Sequence, residues 1–234
     1  MASRPVFIAL PDERCFYAEE VEFPYYGGFA LSQKQKCISS LHSAFSRRHP
    51  DFKVLEISSA SPELLGVSLS AFNLMIETKK AAFSVETAYQ ASKVFEKGGP
   101  YGDILFLSSR DAKRDPRLSS SGALVGFSYF SRSFPLVPRS FFYNWLYINA
   151  LMTHPELADA VLAYDAFTDI SFNPARSVSC QAQAAAVFVS LSRRGLATNA
   201  LKDPEAFLAS VYGGGTGTVP EKAEPWRQTS MFQP

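Results

Sequence analysis

One stretch, Phe83 to Tyr101, constrains the fold more than any other. Ser84 is an N-cap residue by type, and Gly98-Gly99-Pro100 is a strong stop. Between them the pattern predicts one helix. It puts Glu86 in the first turn, where the helix dipole favours an ionised carboxylate. Gln90 follows one turn later, and Lys93 returns to within about 20° of the same face. The rise from Glu86 to Lys93 is about 10 Å, and side chains lean toward the helix N-terminus. One elongated ligand can then touch both. The same residues also suit a solvated amphipathic face, because Glu, Gln and Lys at these spacings are common there.

The rest of the chain reads as mostly helical. Ser32 is placed to cap a helix to about Arg48, with Cys37, Ile38, Leu41, Ala44 and Phe45 at helical spacing. Ser140 is placed to cap Phe141–Met152. Pro155 opens a helix ending near Tyr164, and Ser179 precedes the Ala-rich run Cys180 to Arg194, which Gly195 stops. Asp203-Pro204 starts a last helix that ends at Gly213. A strand is expected within 53–58, and Leu69 to Ile76 fits either strand or buried helix.

Charge gives little direction. The net is +1 over 234 residues, so no global field draws in nucleic acid or membrane. One local patch stands out: Lys34, Lys36, Arg47, Arg48 and Lys53 face Asp51 alone. Arg110, Lys113, Arg114 and Arg117 form a second basic run, diluted by Asp111 and Asp115; they suit phosphate contacts or a solvated surface. Cys15, Cys37 and Cys180 are widely spaced and suggest neither a disulfide framework nor a zinc site. No apolar run approaches the roughly 20 residues of a membrane span. The short run Val6 to Leu10 is closed by Pro11, Asp12 and Glu13, unlike a secretory signal. A cytoplasmic protein without metal or cofactor is expected.

A second constellation is Tyr164 to Pro174, which joins two predicted helices. Asp169 and Phe172 lie three apart, and Asn173-Pro174 is a turn signal. This loop offers an acid, an aromatic and an amide, or simply a polar turn. Gln181 begins the next helix, whose N–H groups suit a phosphate.

Together these segments resemble the NADAR family, also called YbiA-like proteins. Leu69-Ser70-Ala71-Phe72-Asn73 looks like the family's F-S-N-F element. Ser84-Val85-Glu86 with Gln90-Ala91-Ser92-Lys93 matches its S-x-E and Q-A-x-K helix. Asp169-Ile170-Ser171-Phe172 resembles its D-x-x-W segment, with Phe for Trp. The likeness is closer to the branch associated with DarT-type toxins, through Phe29 to Lys36, Leu69 to Leu74, Ser84 to Tyr101 and Tyr164 to Pro174. It covers roughly residues 21 to 212.

The resemblance implies a mainly α fold, a single compact helical domain with a few short strands. Residues 1–212 would form it, with 21–60 as a branch-specific part and 61–212 as the core, and 213–234 as a flexible tail. It implies an ADP-ribosylglycohydrolase that removes ADP-ribose from guanine bases of nucleic acid, DNA favoured over RNA, as antitoxin to a DarT-type toxin. The partners would be the modified nucleic acid, ADP-ribose as product and the toxin, with no membrane. Glu86, Lys93 and Asp169 would be catalytic. Ser70, Phe72, Asn73, Tyr89, Gln90, Tyr101, Phe172, Asn173 and Gln181 would bind substrate. Two alternatives stay open: an N-glycosidase acting on a small metabolite such as a riboflavin-pathway intermediate, and a non-enzymatic antitoxin that binds ADP-ribose or the toxin.

Overall fold

The computed structural model describes residues 1–175, 177 and 179–213. The expected tail beyond Gly213 lies outside them. Strands β1 (Ala2–Ala9) and β2 (Phe16–Phe23) precede helix α1 (Leu31–Ser46) and strand β3 (Val54–Glu56). Helix α2 (Leu64–Ser68) leads to hairpin β4 (Met75–Glu77) and β5 (Ala82–Ser84), then to α3 (Val85–Ala91) and β6 (Lys93–Phe95). A 3-10 turn (Gly102–Phe106) and helices α4 (Ser109–Lys113) and α5 (Arg117–Ser120) precede strands β7 (Leu124–Tyr129) and β8 (Arg132–Phe134). Then come α6 (Phe141–Met152), α7 (Pro155–Val161), β9 (Ala166–Thr168), α8 (Gln181–Arg193), α9 (Ala197–Ala200) and α10 (Pro204–Tyr212).

The fold is mixed α/β, which corrects the expectation of a mainly helical protein. Helix accounts for 41% and strand for 19%, and the strands form three sheets, too much for a few accessory strands. The largest sheet has the order β2-β1-β9-β3, with β1 antiparallel to both neighbours and β3 parallel to β9. Both faces of β1 are covered. Val6 and Ile8 pack with Ile38, Leu41 and Phe45 of α1, while Phe7 joins the main core with α6 and α8. A strand buried on both faces reads as a continuous apolar run, so Val6 to Leu10 gave no alternation to notice. Helix α8 is buried almost all round, with Ala184, Ala185, Ala186, Val187 and Val189 each shielded from solvent.

Three expected caps are absent. Helix α1 starts after Ala30, with Ser32 already inside it. Ser140 precedes α6 in a left-handed conformation (φ 63°) and its side chain does not cap. Cys180, not Ser179, is the residue before α8. The caps at Ser84 and Asp203 are present, accepting from the Thr87 and Ala206 amides. Among the described residues no helix is long and apolar enough to cross a membrane.

Candidate functional site

The predicted helix over 84–97 is two elements. Helix α3 stops at Ala91, and the chain turns into β6, which pairs antiparallel with β7 so that Lys93 faces Phe127. The Ser92 hydroxyl returns to the Ala88 carbonyl (2.7 Å), and the Ser128 amide takes the Ser92 carbonyl (2.7 Å). Gly99, at φ 84°, lies against the Lys93 carbonyl; a Cβ there would come within 2.3 Å of that oxygen. The turn therefore needs glycine on two counts. Lys93 reaches the Glu86 wall from a strand, not from a shared helical face.

Glu86 is 6% exposed, a depth at which a carboxylate needs partners. Its Oε1 accepts from Gln90 Nε2 at 2.8 Å, and Lys113 Nζ lies 3.8 Å from the same oxygen. Gln90 Oε1 is buried and has no partner among the described residues. Lys93 is also 6% exposed, with Nζ 5.1 Å from the centre of the Tyr89 ring. Burial lowers Lys93 to about 8; the Glu86 charge opposes the shift and Lys113 adds to it. Tyr89 donates to or accepts from Ser179 (2.8 Å), and its ring meets Tyr143 edge-on. Tyr143 lies close enough to feel both Glu86 and Asp169.

Asp169 leaves the end of β9 and comes to the same region. It accepts from the Ser171 amide and from Gln181 Nε2, each at 3.0 Å. Burial raises its carboxyl above the usual range, and the neighbouring Glu56 carboxylate raises it further. Gln181 is wholly committed: Oε1 accepts from the Ala71 amide (2.7 Å), and Nε2 donates to the Ile57 carbonyl (2.6 Å) as well as to Asp169. It ties the loop between α2 and β4 to the loop after β9. The Ala182 and Gln183 amides face the Cys180 sulfur.

The other expected site residues scatter. Phe72 is half-buried, with Lys113 Nζ 5.3 Å from its ring centre. Ser70 is buried, within 3.4 Å of the Phe72 amide, and Asn73 is exposed, donating to the Val67 carbonyl. Phe172 is 8% exposed and packs on Phe7 (6.1 Å between ring centres), which leaves little ring for stacking a base. Tyr101 bonds Ser121 through its hydroxyl and lies under the Arg117 guanidinium in a separate small core. Asn173 accepts from the Ala175 amide in its own turn.

Three groups at the site were not singled out from sequence. Lys113 was one of four cations in a run. The fold turns it to Glu86, while Arg117 clamps Asp103 and Asp115. Glu56 is 1% exposed and accepts from Thr168 Oγ1 and the Ile170 amide. The available signal was a lone carboxylate between Leu55 and Ile57. Tyr143 gave none. The basic patch around α1 is partly neutralised, since Arg48 and His49 both pair with Glu19 at 2.7 Å.

A short capped helix and the strand after it supply a carboxylate, an amide and an amine to one wall, and the β9 loop supplies an acid beside it. Comparison with protein families sets the chain among the NADAR proteins. More narrowly, the chain belongs to the DarT1-associated NADAR antitoxin family, whose model matches residues 2–218. The match includes the β1–β2 hairpin, and the family's description ties it to a DarT toxin in an antitoxin role. No curated protein matches the chain.

Proposed function

We propose that the protein is a hydrolase that removes ADP-ribose from guanine bases of nucleic acid, DNA foremost, and acts in the cytoplasm against a DarT-type toxin. The observation that carries this is a buried Glu86 carboxylate near enough to the buried Lys93 amine for its charge to act on it.

Breaking an N-glycosidic bond builds positive charge at the anomeric carbon. The Glu86 carboxylate is placed to stabilise that charge. Its helix and Gln90 hold it, and the unpartnered Gln90 Oε1 supports a role in accepting a ribose hydroxyl. With a pKa of about 8, roughly a tenth of Lys93 is neutral at pH 7. Its free amine attacks the anomeric carbon, the bond to guanine breaks, and the base leaves with a proton. Ring opening gives a Schiff base; water then adds, the C–N bond breaks, and ADP-ribose and the free amine return. Burial raises Asp169 to about 7, so about half of it is protonated at pH 7 and suited to give the departing base its proton.

The test is incubation with guanine-ADP-ribosylated DNA followed by mass analysis, with N-glycosides of the riboflavin pathway as comparison. Release of ADP-ribose and unmodified guanine is expected from DNA. Glu86→Gln should lose at least about 100-fold in rate with an unchanged melting curve. Full activity in that variant would remove Glu86 from the mechanism, and turnover of the metabolites alone would replace the substrate.

A further inference from the structure

Phe72 borders two regions. One side carries Lys113 and, behind it, Glu86. The other opens on a groove lined by Phe72, Met75, Phe83, Phe106 and the hydroxyl residues Ser108 and Ser109. Ser84 ties the two together. It caps the helix that carries Glu86, and its Oγ lies 2.7 Å from Ser109 Oγ, which donates to the Phe72 carbonyl at 3.0 Å. The groove therefore shares Phe72 and Ser84 with the surroundings of Glu86.

Its rim is aromatic and wet. Phe106 is 76% exposed, and Phe130 is 64% exposed with its ring centre 6.3 Å from that of Phe83. Large rings held in water next to a site mark a surface awaiting a partner. Cations adjoin its lining in the chain: Lys79 and Lys80 at the tip of the β4–β5 hairpin, whose Met75, Ala82 and Phe83 line it, and Arg110 on α4, next to Ser109. None of the three makes an ion pair among the described residues. Two carboxylates share the rim. Asp111 is engaged by the Ser108 hydroxyl (2.6 Å), and Glu77 sits at the end of β4. Ring faces flanked by cations suit a single nucleic-acid strand, whose bases stack while its phosphates pair. The ribose carbon bonded to guanine must reach Glu86, which is 6% exposed, and an unpaired base approaches such a group more freely than a stacked and paired one.

We propose that this groove holds the unpaired nucleotides flanking the modified guanine, with a base stacked on Phe106. This deepens the hydrolase assignment and rests on it. The test separates the two. Binding of a fluorescent, guanine-free oligothymidylate is followed by anisotropy, with wild type and Phe106→Ala compared. The exposed ring makes that variant safe for folding, which an unchanged melting curve checks. Binding should weaken about tenfold in Phe106→Ala. In turnover, the variant should raise KM for a modified oligonucleotide about tenfold at unchanged kcat, and leave hydrolysis of ADP-ribosylated guanosine untouched. No oligothymidylate binding by wild type, or equal binding by both proteins, overturns the groove, as does an equal loss on oligonucleotide and nucleoside. A dimer that Phe106→Ala breaks, with no oligonucleotide bound, assigns the groove to a second copy and overturns it too. Failure to turn over any guanine substrate sinks the hydrolase assignment, while the binding result still decides the groove.

Discussion

Lys93 sits where a lysine is costly to keep. Burial takes it from 10.5 to about 8, and the folded state then binds this proton less tightly than the unfolded chain. Between about pH 8 and 10.5 the unfolded state holds more protons, so stability rises with pH across that window. Below it the full penalty, about 3 kcal/mol, is present. Lys93→Met should abolish activity yet stabilise the protein at pH 7 by about 1–2 kcal/mol, since Glu86 loses a neighbouring cation and takes part of the gain back. The alkaline rise in stability should vanish with it, and borohydride should trap an adduct in wild type only. A Lys93→Met protein no more stable than wild type would mean that the amine is well solvated. The rate should pass through a maximum between about pH 7 and 8 and fall on both sides, since Lys93 must be neutral and Asp169 protonated. At this scale the sequence was informative where partners are local. Ser84, Glu86 and Gln90 follow from a cap and a one-turn spacing. Lys93 comes near Glu86 by a geometry other than the expected helical face, because the Ser92 back-bond and the pairing with β7 end the helix before it. Lys113 was illegible, since its partner lies in another segment.

Strand β9 shows what a three-residue element can carry. Its register sets Thr168 against Glu56, and Thr168 Oγ1 donates to Glu56 Oε2 at 2.6 Å. That hydroxyl has spent its proton, so it accepts from His42 Nε2 (2.8 Å), which must be the protonated nitrogen. Burial holds His42 at about 4, hence neutral at pH 7. The Ile170 amide fills the other Glu56 oxygen (2.9 Å), fixing the backbone on the far side of Asp169. Thr168→Val keeps the shape and removes both bonds. It should cost about 3 kcal/mol, read as a lower denaturant midpoint at constant m, with lowered activity from a displaced Asp169. Thr168→Ser should recover most of the loss; a Val variant within about 0.5 kcal/mol of wild type would show the network to be idle. Elements with strong local signals were legible. Helix α6 spans the expected Phe141–Met152, and α10 begins at its Asp203 cap. Three-residue strands are too short for periodicity to register. Ser179 looked like a cap, but its hydroxyl is taken by Tyr89.

At the scale of the whole molecule, the N-terminal hairpin is part of the scaffold that carries the site. Strand β1 is the antiparallel neighbour of β9, so the strand that delivers Asp169 has β1 on one side and β3 on the other. No local pattern announces this, because β1 and β9 lie at opposite ends of the sequence. In β2 the alternation of Val21 and Phe23 with Glu20 and Glu22 was present, but without a visible partner it could not be assigned to a sheet. Removing residues 1–23 tests the point. The deletion takes away Val6, Phe7, Ile8, Val21 and Phe23, each 6% exposed or less. At about 2 kcal/mol per buried side chain this is about 10 kcal/mol, as large as the whole stability of a typical domain. It also uncovers the inner face of α1 and the edge of β9. The truncated chain should lack a cooperative thermal transition and all activity. A truncated protein that melts cooperatively and still processes substrate would show that β9 and Asp169 are held from the β3 side alone.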